Sequence, residues 1–290
     1  MIIVDFNGIV IANLFANRRA MLDVDEGLIR HIVLNSLRAH NLKFRKEYGP
    51  MYIACDYGSW RKSYMKEYKA NRSTNREASE YDWDKIFKVI SMIKDELVEY
   101  SPWNVVEVPM CEADDIIAVL VERTQEFGVN DNVMIISNDK DFLQLQKYKN
   151  VKQFAPVKKK LITTKDPHDY LIEHIFRGDT GDGVPNVLSD DDALCNPDKK
   201  QRMLTQKKID LWKKNLDKLE EVLPREVFRN YQRNRKMVDL DHIPKEVRDK
   251  INNAIDRLPE KNNMKMLSYL IKHRCNMLIG CVDDFFYKGN

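Results

Sequence analysis

Paired cysteines are missing from this sequence of 290 residues. Its five cysteines, at 55, 111, 195, 275 and 281, include no C-x-x-C pair. That spacing speaks against a disulfide framework or a zinc ribbon and fits reduced thiols in a cytosol. The six histidines lack metal-ligand spacing as well, which argues against zinc or haem chemistry. No apolar run approaches the ~18–20 residues needed to span a bilayer. The opening MIIVDFNG has no basic stretch and meets Asp5 at once, so it reads as a strand and not a signal peptide. There is no internal repeat and no low-complexity linker. What remains is 43% hydrophobic and 32% charged, a globular composition sufficient for one large domain or two modest ones.

The formal net charge is only +3, but it is unevenly spread. Residues 111–142 hold eight acidic and two basic residues, a local −6. Residues 61–76 hold six basic and one acidic, a local +5, and residues 199–236 hold thirteen basic and five acidic, a local +8. Solvated helix faces produce such runs too. Together, an acidic centre with basic flanks suits a polyanion approaching a cation-filled site.

Short, apolar, β-branched runs mark strands at 2–6, 51–56, 105–109, 133–139 and 151–156. Helical spacing lies between them: Leu28, Ile32 and Leu37; Ile86, Val89, Ile90, Ile93 and Leu97; Ile116, Ile117, Leu120 and Val121. The alternation predicts an α/β fold with a central, mainly parallel sheet flanked by helices. After about residue 165 strand signals stop. Asp166 can cap a helix running to Phe176, with Pro167 at its first position. The turn-rich RGDTGDGVPN follows, then expected helices at 200–220, 224–235, 244–257 and 263–274.

In an open parallel sheet, ligands bind at the C-terminal ends of the strands. Asp5 and Asp56 end the first two strands, Glu112 follows the third, and Asp139 ends the fourth, with Asp141 just beyond. Asp114 and Asp115 adjoin Glu112 in MCEADDIIAVL, and Asp179 and Asp182 lie in the turn-rich loop. Taken singly, each is an ordinary helix cap or Asx-turn residue. Jointly, massed carboxylates need cations to relieve their repulsion, and hard oxygen donors select magnesium or manganese. Two such ions about 3.5–4 Å apart would serve phosphodiester cleavage. A phosphatase of the haloacid-dehalogenase type would need an acid two residues after Asp5, where Asn7 stands.

Directly after Asp56 comes SWRKSYMKEYKANR, in which Arg61, Lys62, Lys66, Lys69 and Arg72 alternate with Trp60, Tyr64 and Tyr68. Cations beside a metal site can hold a scissile phosphate, and rings can stack an unpaired base. The bland reading is an amphipathic surface helix. YKANR, EADD, SNDKDFLQL and GDTGDGVPN, in this order, resemble the structure-specific 5′-nuclease (flap endonuclease) superfamily, and within it the ribonuclease H type of T-even phages. The resemblance runs through YQRNRKMVDLDHIP and MKMLSYLIKHR, so it spans nearly the whole chain.

The resemblance implies the PIN-like core of that superfamily: a metal-dependent nuclease domain at 1–165, with an arch at 59–80, and a helical DNA-binding domain at 166–290. It implies one metal site from Asp5, Asp56, Glu112 and Asp114, with Asp115 near by, and a second from Asp139, Asp141, Asp179 and Asp182. Lys69 and Arg72 would act on the scissile phosphate, and Asp114 and Asp139 are the carboxylates on which catalysis is expected to depend. Arg61, Lys62, Tyr64, Lys66 and Tyr68 would line the nucleic-acid path with them. The implied activity is Mg2+-dependent 5′→3′ exonuclease and flap endonuclease cleavage, with Mn2+ as a substitute ion. Implied substrates are 5′-flap, nicked or forked DNA and RNA–DNA hybrid, cut during primer removal. Relatives of this type cooperate with a sliding clamp and a single-strand-binding protein. A monomer in the (host) cytoplasm is expected, with no membrane partner.

Three departures stand out. Gly183 replaces a common Asn, which is expected to loosen the loop. NVLSDDDALCNPDKK replaces a glycine-rich duplex-gripping hairpin, so the 199–236 run is the candidate duplex contact. The chain starts at the first strand, leaving DDFFYKGN at 283–290 as a candidate clamp anchor, unless Phe285 and Phe286 simply complete the core. Two alternatives stay open. A PIN-type single-stranded ribonuclease shares the acidic edge but is usually shorter and without a basic helical lobe. A non-catalytic junction-binding protein would keep the basic surfaces and usually lose several of these carboxylates.

Overall fold

The computed structural model describes residues 1–128, 130–261 and 265–287. Strand β1 (Ile2–Asp5) leads into α1 (Phe6–Ala16), α2 (Arg18–Asp23) and α3 (Glu26–Tyr48). Then come β2 (Met51–Cys55), α4 (Ala70–Glu77), α5 (Trp83–Tyr100), β3 (Asn104–Glu107) and α6 (Ala113–Arg123). Strands β4 (Val133–Ile136), β5 (Val151–Ala155) and β6 (Lys160–Ile162) complete the sheet. The rest is helical: α7 (Pro167–Arg177), α8 (Gln206–Lys213), α9 (Leu219–Val222), α10 (Arg225–Val238), α11 (Lys245–Asp256), α12 (Lys265–Lys272) and α13 (Asn276–Ile279).

The chain forms two compact units, one of residues 1–58, 80–163 and 246–290, the other of 59–79 and 164–245. This division differs from the 1–165/166–290 division expected from the sequence. The reason is packing: Met266, Tyr269, Leu270 and Leu278 belong to the same core as β1, α3 and α5. Segment 59–79 in turn puts Met65 and Tyr68 into a cluster with Val184, Met237 and Val238.

In the first unit the strands run in the order β3-β2-β1-β4-β5-β6. All adjacent pairs are parallel except β5 with β6. The chain moves outward through β2 and β3, then returns to β4 on the other side of β1. That reversal opens a crevice at the C-terminal ends of β1 and β4. Residues 2–4 and 133–136 are buried on both faces, which explains their unbroken apolar runs. β6 escapes the sequence reading because it is a three-residue edge strand, Lys160–Ile162, with mostly exposed side chains.

Phe285 is fully buried, stacks on Trp103 at 5.5 Å, and gives its carbonyl to the Trp103 indole N–H at 3.0 Å. The carbonyls of 283–286 accept from Asn41 and Arg45 of α3. Phe285 therefore completes the core and Phe286 packs against it, the second of the two readings the sequence left open, while Tyr287 is exposed; residues 288–290 lie outside the described residues.

In the second unit α7 and α10 pack together around Ile175, Phe176 and Tyr231, with Trp212 of α8. Asp166 caps α7 at Asp169 N–H with Pro167 in its first turn, as the sequence predicts. The single helix expected over 200–220 is broken instead: Asn215 folds its amide back onto the Leu211 carbonyl at 3.1 Å, and α9 starts afresh at Leu219. Among the described residues no helix is long and apolar enough to cross a membrane.

Candidate active site

Asp5 ends β1 and caps α1. Its Oδ1 accepts from the Gly8 N–H at 3.0 Å, and its Oδ2 from the Ser137 hydroxyl at 2.8 Å. Asp56 follows β2. Its Oδ2 accepts from the Asn7 amide at 2.8 Å and its Oδ1 from the Ala113 N–H, the first of α6, at 2.7 Å. The chain after β3 is turned back to reach it. Met110 takes the left-handed conformation (φ 63°) and donates its N–H to the Tyr57 carbonyl at 2.7 Å, while the Tyr57 N–H donates to the Cys111 carbonyl at 2.9 Å. That turn sets Glu112, Asp114 and Asp115 at the positive end of α6, beside Asp56.

Asp115 is fully buried and accepts from the Glu112 N–H at 3.0 Å, closing one arm of a helix-start box. It therefore serves the helix start, while Asp114 is half-buried. Glu112 is 4% exposed. Asp139 is exposed beyond β4; its N–H donates to Ser137 Oγ at 3.0 Å and its Oδ1 accepts from the Asp141 N–H at 2.9 Å. Behind this loop the buried Gln153 amide of β5 donates to the carbonyls of Ser137 and Asp139. The sheet thus brings Asp5, Asp56 and Asp139 to three neighbouring strand ends, as the sequence predicts. Adjacent strands lie about 4.8 Å apart.

Gly8 has a role the sequence does not announce. A Cβ there would stand 2.2 Å from Asp5 Oδ2. Gly8→Ala is expected to leave the folding midpoint nearly unchanged, because the Asp5 side chain can swing. Divalent-cation affinity, read by titration calorimetry, should fall about tenfold or more as Asp5 leaves its place.

In the second unit the loop after α7 is tightly drawn. Asp179 Oδ1 accepts from the N–H groups of Gly181 (2.7 Å) and Asp182 (3.1 Å), and Val184 N–H bonds to the Asp179 carbonyl at 2.7 Å. Gly183 sits at φ 75° with room for a Cβ only 3.0 Å from the Glu67 carbonyl. This glycine is required by a close turn, which corrects the expectation that it loosens the loop.

Asp182 meets both of the predicted phosphate-binding cations. Its Oδ2 lies 3.4 Å from Lys69 Nζ and 3.0 Å from the Tyr68 hydroxyl, and its Oδ1 pairs with Arg72. The Lys69 N–H also donates to the Asp182 carbonyl at 2.7 Å. Burial pushes the Asp182 carboxyl up, but Lys69, Arg72 and Tyr68 outweigh it and hold it below the usual aspartate value.

Two expected nucleic-acid contacts are corrected by their burial. Arg61 is 2% exposed, lies over the Trp60 ring, and donates its Nε–H to the Met237 carbonyl at 2.8 Å. Tyr68 is 3% exposed. Both hold segment 59–79 against the rest of the second unit. Lys62, Tyr64 and Lys66 are exposed, and Lys236 of α10 lies 4.8 Å from the Tyr64 ring.

Sequence reasoning passes over the neutral polar residues that hold these groups: Asn7, Ser137 and Gln153 in the first unit, Asn230 and Asn234 in the second. The last two are fully buried on α10 and donate to the carbonyls of Val187, Ser189, Ile175 and Pro185. Their i, i+4 spacing within NYQRN was the one available signal.

A family model described as the 5′-3′ exonuclease N-terminal resolvase-like domain matches residues 1–172, and one described as the T4 RNase H C-terminal domain matches 167–285. The chain belongs to the 5′-3′ exonuclease family. The ribonuclease H of Enterobacteria phage T4 is 30% identical over 294 residues, covering 98% of this chain and 95% of that protein. This chain is therefore a nuclease of the T4 ribonuclease H type, a hydrolase acting on nucleic acid.

Solved relatives show the same fold. The T5 D15 protein co-crystallised with metal ions has a TM-score of 0.59 at 18% identity, covering 89% of this chain and 99% of that one. The T5 D15 flap endonuclease in a pseudo-enzyme-product complex with DNA and metal ions has a TM-score of 0.61 at 18% identity, covering 89% and 98%.

Proposed function

We propose that this 5′-3′ exonuclease-family chain is a divalent-metal-dependent 5′→3′ exonuclease and 5′-flap endonuclease that removes RNA primers and adjacent DNA during replication. The observation that carries this is the placement of Asp5, Asp56 and Asp139 at the ends of β1, β2 and β4, around the crevice where the strand order reverses. Every donor there is a hard oxygen, with no cysteine or histidine among the first unit's candidates, and that set fits magnesium or manganese. The phage T5 relatives that hold metal ions and DNA support the same reading.

Bound divalent ions supply activation of water and charge neutralisation at the leaving oxygen. The chain's own part is to hold and orient. Asp5, Asp56, Glu112, Asp114, Asp139 and Asp141 are the proposed ligands in the first unit. Asp179 and Asp182 are those of the second. Lys69 and Arg72 are proposed to bind the scissile phosphate, which then competes with Asp182 for them. Lys62, Tyr64 and Lys66 offer exposed charge and one ring to a single strand.

The test is a 5′-labelled flap substrate incubated with Mg2+ or Mn2+. Cleavage at the junction, abolished by a chelator, is the expected result. Intact flap with either ion sinks the proposal. Cutting of unstructured RNA with no preference for a junction transfers the reading to a PIN-type ribonuclease.

A further inference from the structure

We infer that Asn7 and Ser137 are positioning residues that fix the carboxylates of Asp56 and Asp5 before any cation arrives, and that they do so without neutralising them. This rests on the metal-dependent reading above and concerns how its ligands are kept in place.

Three strand ends, in the spatial order β2, β1, β4, each carry an aspartate, and like charges on neighbouring strands repel. Left alone, their side chains would rotate apart. Two neutral side chains prevent this, and each reaches across from one strand end to the next. Asn7, two residues past the end of β1, donates to Asp56 beyond β2 at 2.8 Å. Ser137, one residue past β4, donates to Asp5 on β1 at 2.8 Å.

The direction of the Ser137 bond is fixed by chemistry. A hydroxyl has one hydrogen. The Asp139 N–H points at the Ser137 oxygen from 3.0 Å, so that oxygen accepts there and its hydrogen goes to Asp5. The hydroxyl therefore couples the rotamer of Asp5 to the backbone that presents Asp139. Ser137 is itself 1% exposed, and Gln153, also 1% exposed, clamps its carbonyl from β5 at 3.1 Å. The amide of Asn7 must turn its nitrogen to Asp56, because the carboxylate oxygen only accepts.

Backbone donors complete the pattern. With Gly8 and Ala113 included, each oxygen of Asp5 and Asp56 accepts a hydrogen bond from an uncharged group. A carboxylate oxygen has two lone-pair directions, so one hydrogen bond of this kind does not by itself fill it. The second unit makes the contrast plain. There Asp182 is held by Lys69 and Arg72, cations that cancel its charge. At the strand ends these fixing groups are neutral, and the negative charge remains to attract divalent ions. This also gives Asn7 a purpose: an aspartate here would repel Asp56 where an amide steadies it.

Direct cation binding tests this, with Mn2+ titrated into the metal-free full chain and the free ion read by electron paramagnetic resonance. Ser137→Ala and Asn7→Ala are each expected to weaken Mn2+ binding about 10–100-fold, the range seen when groups supporting metal ligands are lost. The thermal midpoint of the metal-free protein should stay within a few degrees of the unaltered chain. Ser137→Thr, which keeps the hydroxyl, should restore most of the affinity. Unaltered affinity in both alanine variants overturns the inference and leaves the nuclease reading standing. So does weakened binding that Ser137→Thr fails to restore. If the unaltered chain neither binds Mn2+ nor cuts a flap, both fall together.

Discussion

Asp139→Asn is expected to lower flap cleavage at least about a hundredfold, the scale on which a single lost electrostatic contact to a transition state is felt. Binding of the flap, measured by fluorescence anisotropy in calcium, should change by no more than a few-fold. The reasoning is geometric. Asp139 is exposed, and within its loop its Oδ1 accepts the Asp141 N–H at 2.9 Å. An amide oxygen can accept that bond equally well, so the loop keeps its shape. What disappears is a unit of charge at the crevice beside β1 and β4. An Asp139→Asn enzyme cutting at the normal rate would remove Asp139 from the proposed ligands. Flap binding lost along with cleavage would show instead that the loop had moved.

Gly178→Ala should strongly destabilise the second unit. Gly178 has φ 69° and ψ −173°, a region essentially closed to residues with a Cβ. A Cβ there would stand 2.4 Å from the Val184 carbonyl oxygen and 2.6 Å from that of Pro185. Both neighbours are backbone, so neither can rotate away. Its N–H also ends α7 by bonding to the His174 carbonyl at 2.8 Å. Strain and overpacking of this kind cost about 2–4 kcal/mol. The urea midpoint should fall accordingly, and cleavage with it, because the displaced loop carries Asp179 and Asp182. Gly280→Ala is the control: nothing lies within 4 Å of a Cβ there, so its midpoint should not move. Equal midpoints for the two variants would show that the loop yields without cost.

The strand-end aspartates were legible in the sequence for a physical reason. Strands buried on both faces must be apolar throughout, so the first carboxylate marks the strand's end and the ligand-binding edge together. Asn7 and Ser137 were not legible, because a neutral donor leaves no mark on charge or periodicity. Arg61 and Tyr68 were misjudged for the opposite reason. Their charge and ring suggested a nucleic-acid path, but a cation can be buried when its nitrogens meet carbonyls, as Arg61 does at Met237. Helices α11 and α12 were recognised as helices from the sequence. Nothing in a helix face says which core it will join, so the place of α12 and α13 against β1, α3 and α5 had to be seen.

The first unit is sewn from three separated stretches of chain, and Phe285 with its neighbours belongs to the third of them. The order of synthesis gives this a temporal meaning. The sheet and its carboxylate edge leave the ribosome early, by residue 163, yet Trp103, Asn41 and Arg45 must wait for residues 283–286 before their bonds can close. Until then the floor beneath β3 and α3 lacks its plug. A nascent chain therefore carries the whole edge of the first unit in an unsealed scaffold, and that scaffold closes only once residues 283–286 have been made.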